Sequence, residues 1–432
     1  MNNLFVLDRT KAPEVHELET VHLDVPRSEM LPNGLELSVV NYGDVDVCQI
    51  DVYVKHGVVN EKEPALVQFA SRTITMGTED YGVDQIAEIL DFYGASLTSV
   101  EGDNYMMMSL KSTNRNLPKV LPVMYDCLTK PTFPPSVLEK VREKFVADVA
   151  VAQERVAFMA RRRLRELLLG ANHPAAVVVN EEVAANITCE KLLDFHKRYF
   201  APGNCIVVVS GSISDAELEL VRSTFGGWEA RQHEHSQELP VHPQETMYDV
   251  VQKDGALQSA VLIAMDVVPR SHPDYIKLRT LVTALGGYSG CRLMKNIREE
   301  KGYTYGIQSY LLGKENEGRI EITTQCGTPY TKAVIEEIKH ELKALREEPI
   351  GEDELHQVRS YVMSELVKTL DNAFSRASYI GLIKIGYLYE DYFDKQFDQV
   401  KNVTSRELQL LAQKYLTEDR MRIVVAGDAS KM

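Results

Sequence analysis

The 432-residue sequence has little cysteine, and none of it is spaced for disulfide or metal chemistry. The six cysteines are scattered along the chain at Cys48, Cys127, Cys189, Cys205, Cys291 and Cys326. No pair forms a Cys-x-x-Cys motif, which a thiolate zinc site would favour, and scattered thiols are typical of proteins in a reducing compartment. We therefore expect free thiols and no thiolate metal centre.

The sequence also lacks an excess of positive charge and any long apolar run. Its 48 lysines and arginines stand against 63 acidic residues, which gives a formal net charge of −15. This balance argues against nucleic acid and anionic membranes as partners, because phosphate contacts require a basic face. The N-terminal residues MNNLFVLDRTKAPEV contain no signal-like apolar run, and no later stretch is apolar enough to span a membrane. We expect a cytoplasmic protein, or a periplasmic one if a signal peptide has been removed.

The sequence does contain an internal repeat. Residues 186–211 (NITCEKLLDFHKRYFAPGNCIVVVSG) align without a gap to residues 402–427 (NVTSRELQLLAQKYLTEDRMRIVVAG), an offset equal to half the chain. Each copy predicts a capped amphipathic helix, a short turn and an apolar strand that ends at glycine. The repeat indicates two homologous domains, so a site in one half should have a counterpart in the other.

The pattern of elements predicts the α+β class: two homologous domains, each a largely antiparallel β-sheet packed with helices. We place the first domain at 1–230, a polar, proline-containing linker at 231–246 and the second domain at 247–432. In the first half the predicted elements are a strand over 48–54, helices over 64–76 and 83–93, a hairpin over 95–110, a helix over 117–127 and one long helix over 136–169. In the second half they are a strand over 259–265, a helix over 274–285, a strand pair over 303–312 and 319–325, and helices over 330–346 and 352–384.

Three stretches of the sequence resemble a known family. They are His173-Pro174 before Asn186-Ile187-Thr188, the turn RYFAPGN, and LGGYSGCRLMKNIREEKGYTYGI in the second half. Together with the order of elements, they resemble the pitrilysin, insulysin and mitochondrial processing peptidase family, the inverzincin metallopeptidases. The resemblance covers nearly the whole chain and implies that the two domains form half of a clamshell.

The zinc motif of this family is degenerate here. In catalytic members the first helix carries His-x-x-Glu-His, in which two histidines bind zinc and the glutamate acts as general base. The matching stretch, QFASR, places Gln68, Ser71 and Arg72 at those positions. Glutamine is a weak neutral ligand, serine cannot act as the base, and arginine is a permanent cation that repels zinc. The third ligand, a glutamate by resemblance, would fall near Ala147 or Asp148. Because Gln68, Ser71 and Arg72 replace the zinc motif, we expect no metal and no cofactor in this chain.

Two other groups have metal-ligand spacing. His233-Glu234-His235 lies in the linker, and Glu337 and His340 lie one helical turn apart on a helix rich in exposed charge. Neither supplies three converging ligands, and both patterns are more typical of solvated surface residues. No serine–histidine–aspartate arrangement, nucleophile elbow or phosphate-binding glycine loop is visible either.

The resemblance implies a functional role for Arg298 and Tyr305. In the family an arginine and a tyrosine at this spacing approach the substrate, and a guanidinium and a phenol can stabilise the negative charge that develops at a peptide carbonyl. The alternative is that Arg298 pairs with a neighbouring acid and Tyr305 merely packs. The turn with Gly286, Gly287, Ser289 and Gly290 would let backbone amides approach a peptide, or would serve only as a tight connection between helices.

Taken together, the resemblance implies a non-catalytic subunit of a heterodimeric zinc metalloendopeptidase, inactive alone. Its partner would be a homologous subunit with His-x-x-Glu-His and zinc, and its substrate an extended peptide that adds a strand to a sheet edge. Two alternatives stay open. One is an inert peptide-binding or structural scaffold of the same fold, and the other is a peptidase with an unconventional metal site.

Overall fold

The protein, described from a computed structural model over residues 9–12, 21–314 and 316–432, contains two β-sheets packed with helices. The strands are β1 (Glu29–Met30), β2 (Glu36–Asn41), β3 (Val47–Val54), β4 (Ser96–Glu101), β5 (Met106–Thr113), β6 (Cys205–Gly211), β7 (Tyr248–Gln252), β8 (Gln258–Val267), β9 (Thr304–Gly313), β10 (Gly318–Gly327) and β11 (Met421–Gly427). The helices are α1 (Leu66–Thr73), α2 (Val83–Tyr93), α3 (Leu117–Thr129), α4 (Pro135–Gln153), α5 (Val156–Leu169), α6 (Glu181–Ala185), α7 (Cys189–Tyr199), α8 (Asp215–Gly226), α9 (Asp274–Gly286), α10 (Thr331–Glu347), α11 (Glu352–Lys368), α12 (Ala373–Lys384), α13 (Tyr392–Asn402) and α14 (Ser405–Tyr415).

Both sheets have the same strand order apart from one extra edge strand. The first runs β1-β2-β6-β3-β5-β4 and the second β7-β11-β8-β10-β9. In each sheet one neighbouring pair is parallel, β2 with β6 and β7 with β11, and the other neighbours are antiparallel. The predicted α+β class with largely antiparallel sheets is confirmed. Strands β4 and β9 are the corresponding edges, and each leaves one side of its backbone unpaired within the described chain.

The internal repeat is confirmed residue by residue. Helices α7 and α14, and strands β6 and β11, begin and end at positions that differ by the offset seen in the sequence. Thr188 and Thr404 cap the two helices, since each side chain accepts a hydrogen bond from a first-turn amide. The second copy has a complete capping box, and bonds from Lys277 and Thr404 lower the pKa of Glu407 to about 2.

The two long helices predicted over 136–169 and 352–384 are wrong as single elements. The first is interrupted at Glu154-Arg155 and the second at residues 369–372. The first interruption has no glycine or proline to mark it, whereas at the second the side chain of Asn372 caps the N-terminus of α12. The two breaks occupy equivalent positions in the repeat, so each half carries a matched helix pair, α4–α5 and α11–α12.

Because of these breaks, one helix of each half packs against the sheet of the other half. Helix α5 of the first half packs against β8 and β11 of the second sheet, while α12 of the second half packs against β6 and β2 of the first. Helix α12 also contacts β3 closely, since a Cβ atom on Gly381 would lie 2.3 Å from the hydroxyl of Tyr53. Residues 229–246, which include the predicted linker, form neither helix nor strand. Among the described residues, none of the helices has the length and apolar character needed to cross a membrane.

Candidate functional site

Helix α1 retains the shape of a zinc-motif helix but presents other side chains. Phe69 and Ala70 are buried in the core of the first half. Ser71 is also buried, and its hydroxyl lies 3.2 Å from that of Ser99 on the edge strand β4. The position of the general base is therefore occupied by a small hydroxyl that is engaged with the sheet.

Arg72 occupies the position of the second histidine. Its guanidinium donates to the carboxylate of Glu101 at 3.0 Å and lies 4.1 Å from the centre of the Phe145 ring on α4. Val149, one turn further along α4, packs against the same core, whereas Asp148 is exposed. The face of α4 that meets α1 is thus apolar, and a fixed cation lies where zinc would need neutral or anionic donors.

These residues do not fit zinc. The described residues contain no group of three or more histidine, cysteine, aspartate or glutamate side chains placed to hold a metal ion. Of the two weaker candidates, Glu337 receives hydrogen bonds from Lys301 and Asn296, and Glu234 accepts one from the hydroxyl of Tyr199 at 3.3 Å. Both carboxylates serve local polar networks.

Arg298 lies on a π-helical turn, Met294–Glu300, that follows α9. Its side chain is exposed and makes no hydrogen bond or ion pair with any residue in the described part of the chain, Glu299 and Glu300 included. The turn itself is anchored, because buried Asn296 donates to Glu337 at 3.1 Å and to Glu341 at 2.6 Å. A π-helical turn is uncommon and often occurs at functional sites, and here it presents an unpaired guanidinium on a fixed backbone.

Tyr305 lies beside this turn at the start of the edge strand β9. The amide of Tyr303 donates to the carbonyl of Ile297 at 3.0 Å, which joins the π-helical turn to the strand. The register of β9 against β10 then shifts, since Thr304 faces Cys326 but Ile307 faces Thr324. One extra residue in β9 makes a β-bulge, a feature that re-aims side chains at sheet edges. The Tyr305 side chain is accordingly 92% exposed.

Two buried threonine hydroxyls fix this bulge. The hydroxyl of Thr304 donates to the carbonyl of Gln325 at 2.7 Å, lies 2.8 Å from the hydroxyl of Thr324, and accepts from the amide of Gly306 at 3.1 Å. Thr324 also donates to the carbonyl of Gly306 at 2.8 Å. The backbone groups that the bulge removes from the ladder are therefore satisfied by side chains. Sequence reasoning missed both threonines, because their role depends on a register shift.

The bulge yields a prediction for Thr304→Val. The substitution keeps the shape but removes the hydroxyl, so we expect the free energy of unfolding to fall by about 1–3 kcal/mol. The amide of Gly306 should also exchange with solvent faster, as measured by hydrogen–deuterium exchange. Thr323→Val is the matched control, because Thr323 on β10 makes no side-chain hydrogen bond within the described residues. Equal exchange rates at Gly306 in the two variants would contradict the role of Thr304.

The glycine turn after α9 is placed tightly against the sheet. A Cβ atom on Gly286 would lie 2.6 Å from the hydroxyl oxygen of Ser309 on β9, so only glycine allows this approach. The amide of Gly287 donates to the carbonyl of Thr283 and completes the helix. Ser289 is exposed, and half-buried Gly290 lies against the ring of Tyr288. The turn therefore packs directly against β9. That its backbone amides also contact a peptide stays a prediction.

A groove of about 700 Å³ lies beside β9 and the turn that joins β9 to β10. Residues 309–314 and 317–319 line this side of it. Its other walls come from α9, α11, α12 and the start of α13, with side chains such as Tyr275, Tyr379 and Tyr392. The sequence could not reveal this groove, because its walls are built from segments more than 100 residues apart.

Comparisons with known proteins agree with this architecture. The family model described as insulinase (peptidase family M16) matches residues 39–175, and the model described as peptidase M16 inactive domain matches residues 186–362. The uncharacterized zinc protease YmxG of Bacillus subtilis is 22% identical over 391 residues, 90% of this chain and 95% of that protein. The mitochondrial-processing peptidase subunit beta of Saccharomyces cerevisiae is 18% identical over 440 residues, 96% and 94% of the two chains.

A solved structure has the same fold. The peptidase M16 inactive domain from Pseudomonas fluorescens superposes with a TM-score of 0.83 at 20% identity, over 93% of this chain and 98% of that one. The two family models between them reach from the strands of the first sheet to α11 of the second half. This chain therefore belongs to the M16, or insulinase, family of peptidases.

Proposed function

We propose that the protein is the non-catalytic subunit of a heterodimeric zinc metallopeptidase. Arg298 and Tyr305 carry the proposal, because both side chains are exposed, lie on adjoining backbone segments and make no polar contact with the described chain. Exposed donors that have no partner in the described chain, held on an anchored turn and a hydrogen-bonded bulge, are free to meet a group outside the chain. They would stabilise the negative charge that develops at a peptide carbonyl during hydrolysis, while a zinc-bearing partner would supply the metal chemistry.

The edge of β9 supports peptide binding at the same surface. An extended peptide that adds a strand to β9 satisfies the unpaired backbone groups of that strand and fills the adjoining groove. Tyr305 lies at one end of this edge and the groove at the other, so the peptide passes the Arg298–Tyr305 pair. In this proposal Gly286, Gly287, Ser289 and Gly290 shape the wall of the site next to β9.

The partner supplies what α1 lacks. Its first helix carries His-x-x-Glu-His and holds zinc, while the Arg72–Glu101 pair makes this chain inert alone. The relative named as a mitochondrial-processing peptidase subunit supports a subunit role for a chain of this length, and the relative named as an inactive domain supports an M16 chain without catalysis. Six free cysteines, five of them buried, support a cytoplasmic location.

Reconstitution tests this proposal. The chain is mixed with an M16 chain that bears His-x-x-Glu-His, for which the first candidate is the product of a neighbouring reading frame, and cleavage of a quenched-fluorescent peptide library is followed. We expect no cleavage by this chain alone and rapid cleavage by the mixture. A mixture no faster than the zinc-bearing chain alone would favour the alternative, an inert peptide-binding or structural scaffold.

A further inference from the structure

The groove along β9 contains both paired and unpaired charged side chains, and the proposed function does not require the unpaired ones. Most of its charged side chains are paired within the chain. Lys314 lies 3.6 Å from Asp103 and 3.1 Å from Glu317, and Arg319 donates to Glu321 at 2.8 Å. Glu365 is paired with Lys368 in the next turn of α11. These groups neutralise one another and leave the groove little charge of either sign from these residues.

Two arginines of the groove are not neutralised. Neither Arg270 nor Arg279 forms an ion pair with an acidic residue of the described chain. Arg270 lies over the ring of Tyr387, with its guanidinium carbon 4.0 Å from the ring centre, and donates to the carbonyl of Gly313 at the end of β9. Arg279 projects from α9 into the same groove and is exposed. Two uncompensated positive charges therefore face one cavity in a protein whose net charge is −15.

Neutral polar groups accompany these arginines. Gln396 is only 2% exposed, lines the groove and makes no side-chain hydrogen bond within the described residues. The hydroxyl of Tyr379 is enclosed and also has no hydrogen-bond partner. Buried polar groups in proteins are normally satisfied, so donors left open toward a cavity indicate a ligand that accepts hydrogen bonds.

We infer that the groove binds a carboxylate of the peptide substrate through Arg270 and Arg279. This inference rests on the proposed function, since it names the class of peptide that the β9 edge would take. A carboxylate accepts from two guanidinium groups at once, and charge-assisted bonds of this kind are stronger than neutral ones. From Tyr305 to Gly313 the strand spans about 25 Å, so the carboxylate lies about eight residues from the cleaved bond.

A carboxylate can come from a glutamate or aspartate side chain or from the end of the peptide. Three acetylated octapeptides of serine and threonine separate these sources. One ends in an amide, one in a free acid, and one has glutamate at its last position followed by an amide. Isothermal titration calorimetry with the isolated full-length chain at low salt measures their affinities and requires no partner subunit.

We expect at least one of the two acidic peptides to bind about fivefold more tightly than the neutral amide, a modest factor because Arg279 is exposed. A gain by the free acid alone assigns the site to a peptide terminus, and a gain by the glutamate peptide alone assigns it to a side chain. Arg279→Gln and Arg270→Gln should each reduce this gain. Arg319→Gln is the matched control, because Arg319 lines the same groove but is already paired, and it should leave the gain unchanged.

Three results would overturn the inference. They are equal affinity for acidic and neutral peptides, no measurable binding of the acidic peptides, and a loss of the gain in Arg319→Gln as large as in Arg279→Gln. None of them bears on Arg298 and Tyr305, which are tested by cleavage in the reconstituted complex. The two proposals therefore fail separately.

Discussion

Replacing Arg298 with alanine is expected to lower kcat of the reconstituted peptidase by about 10²–10³-fold with little change in KM. The guanidinium makes no hydrogen bond or ion pair within the described chain, so its loss should leave folding unaffected. The Arg298 guanidinium contributes only when negative charge develops on the substrate carbonyl in the transition state. Its loss should therefore lower kcat and leave KM nearly unchanged. The measurement is steady-state cleavage of one peptide by complexes that contain the wild-type or variant chain.

Tyr305→Phe removes only a hydroxyl. We expect it to lower kcat by about 10–100-fold, because that hydroxyl would donate to the same developing negative charge on the substrate carbonyl. Matched controls lie on the same turn and in the same sheet. Lys295→Ala removes an exposed cation from the π-helical turn, and Tyr248→Phe removes an exposed hydroxyl from β7, outside the groove. Both controls should keep kcat within about twofold of wild type, since neither side chain takes part in the proposed chemistry. Controls as impaired as the variants, or variants as active as wild type, would contradict the assigned role.

The second large effect concerns acid stability and depends on His196. This side chain is 4% exposed, donates from Nε2 to the carbonyl of Leu128 at 2.7 Å and lies against the ring of Phe200. Burial lowers its pKa to about 4, against an ordinary value of 6.5, and the nearby Arg231 adds to the effect. The hydrogen bond to Leu128 acts in the opposite direction but does not outweigh burial.

The lowered pKa of His196 sets the pH range over which the stability of the protein changes. Above pH 6.5 the imidazole is neutral in both folded and unfolded chains, so it does not favour either state. Between pH 6.5 and 4 the His196 imidazole binds a proton in the unfolded chain but not in the folded chain, so the free energy of unfolding falls as the pH falls. Below pH 4 both states are protonated and the loss is complete, at roughly 3 kcal/mol.

His196→Gln should remove this pH dependence, because glutamine can donate to Leu128 without titrating. Urea unfolding is measured at pH 7.5, 6, 5 and 4.5 through the fluorescence of Trp228, which is the sole tryptophan of the sequence and lies in the core of the first half. We expect the variant to be less stable at pH 7.5 but to lose less stability on acidification. His356→Gln, an exposed histidine on α11, is the control, and parallel pH profiles for His196→Gln and wild type would contradict the prediction.

Most of the fold could be predicted from the sequence because its elements follow local rules. The sequence predicted a strand over 48–54, a helix over 83–93 and a capped helix in each copy of the repeat, and the structure has β3, α2, α7 and α14 there. The breaks before α5 and α12 were missed. They arise from tertiary packing, since each helix must turn to reach the sheet of the other half, and nothing at Glu154-Arg155 marks such a turn locally.

The candidate site was only partly predictable. The identities of Gln68, Ser71 and Arg72 predict that α1 does not hold zinc, because the chemistry of each side chain is fixed by its type, and this stays a prediction. The surroundings could not be predicted in the same way. Glu101 and Phe145 reach Arg72 from a strand and a helix far along the chain, and the bulge at Tyr305 depends on a register that sequence does not encode locally.

Metal analysis of the purified chain tests the central claim most directly. The chain is incubated with excess zinc, passed through a gel-filtration column free of chelator, and analysed for metal and protein in the same fractions. We expect less than about 0.1 zinc per chain, because Arg72 and its partners replace the ligands that a catalytic site needs. A stoichiometry near one zinc per chain, lost in a variant at Gln68 or Ser71, would show that this chain carries its own catalytic metal.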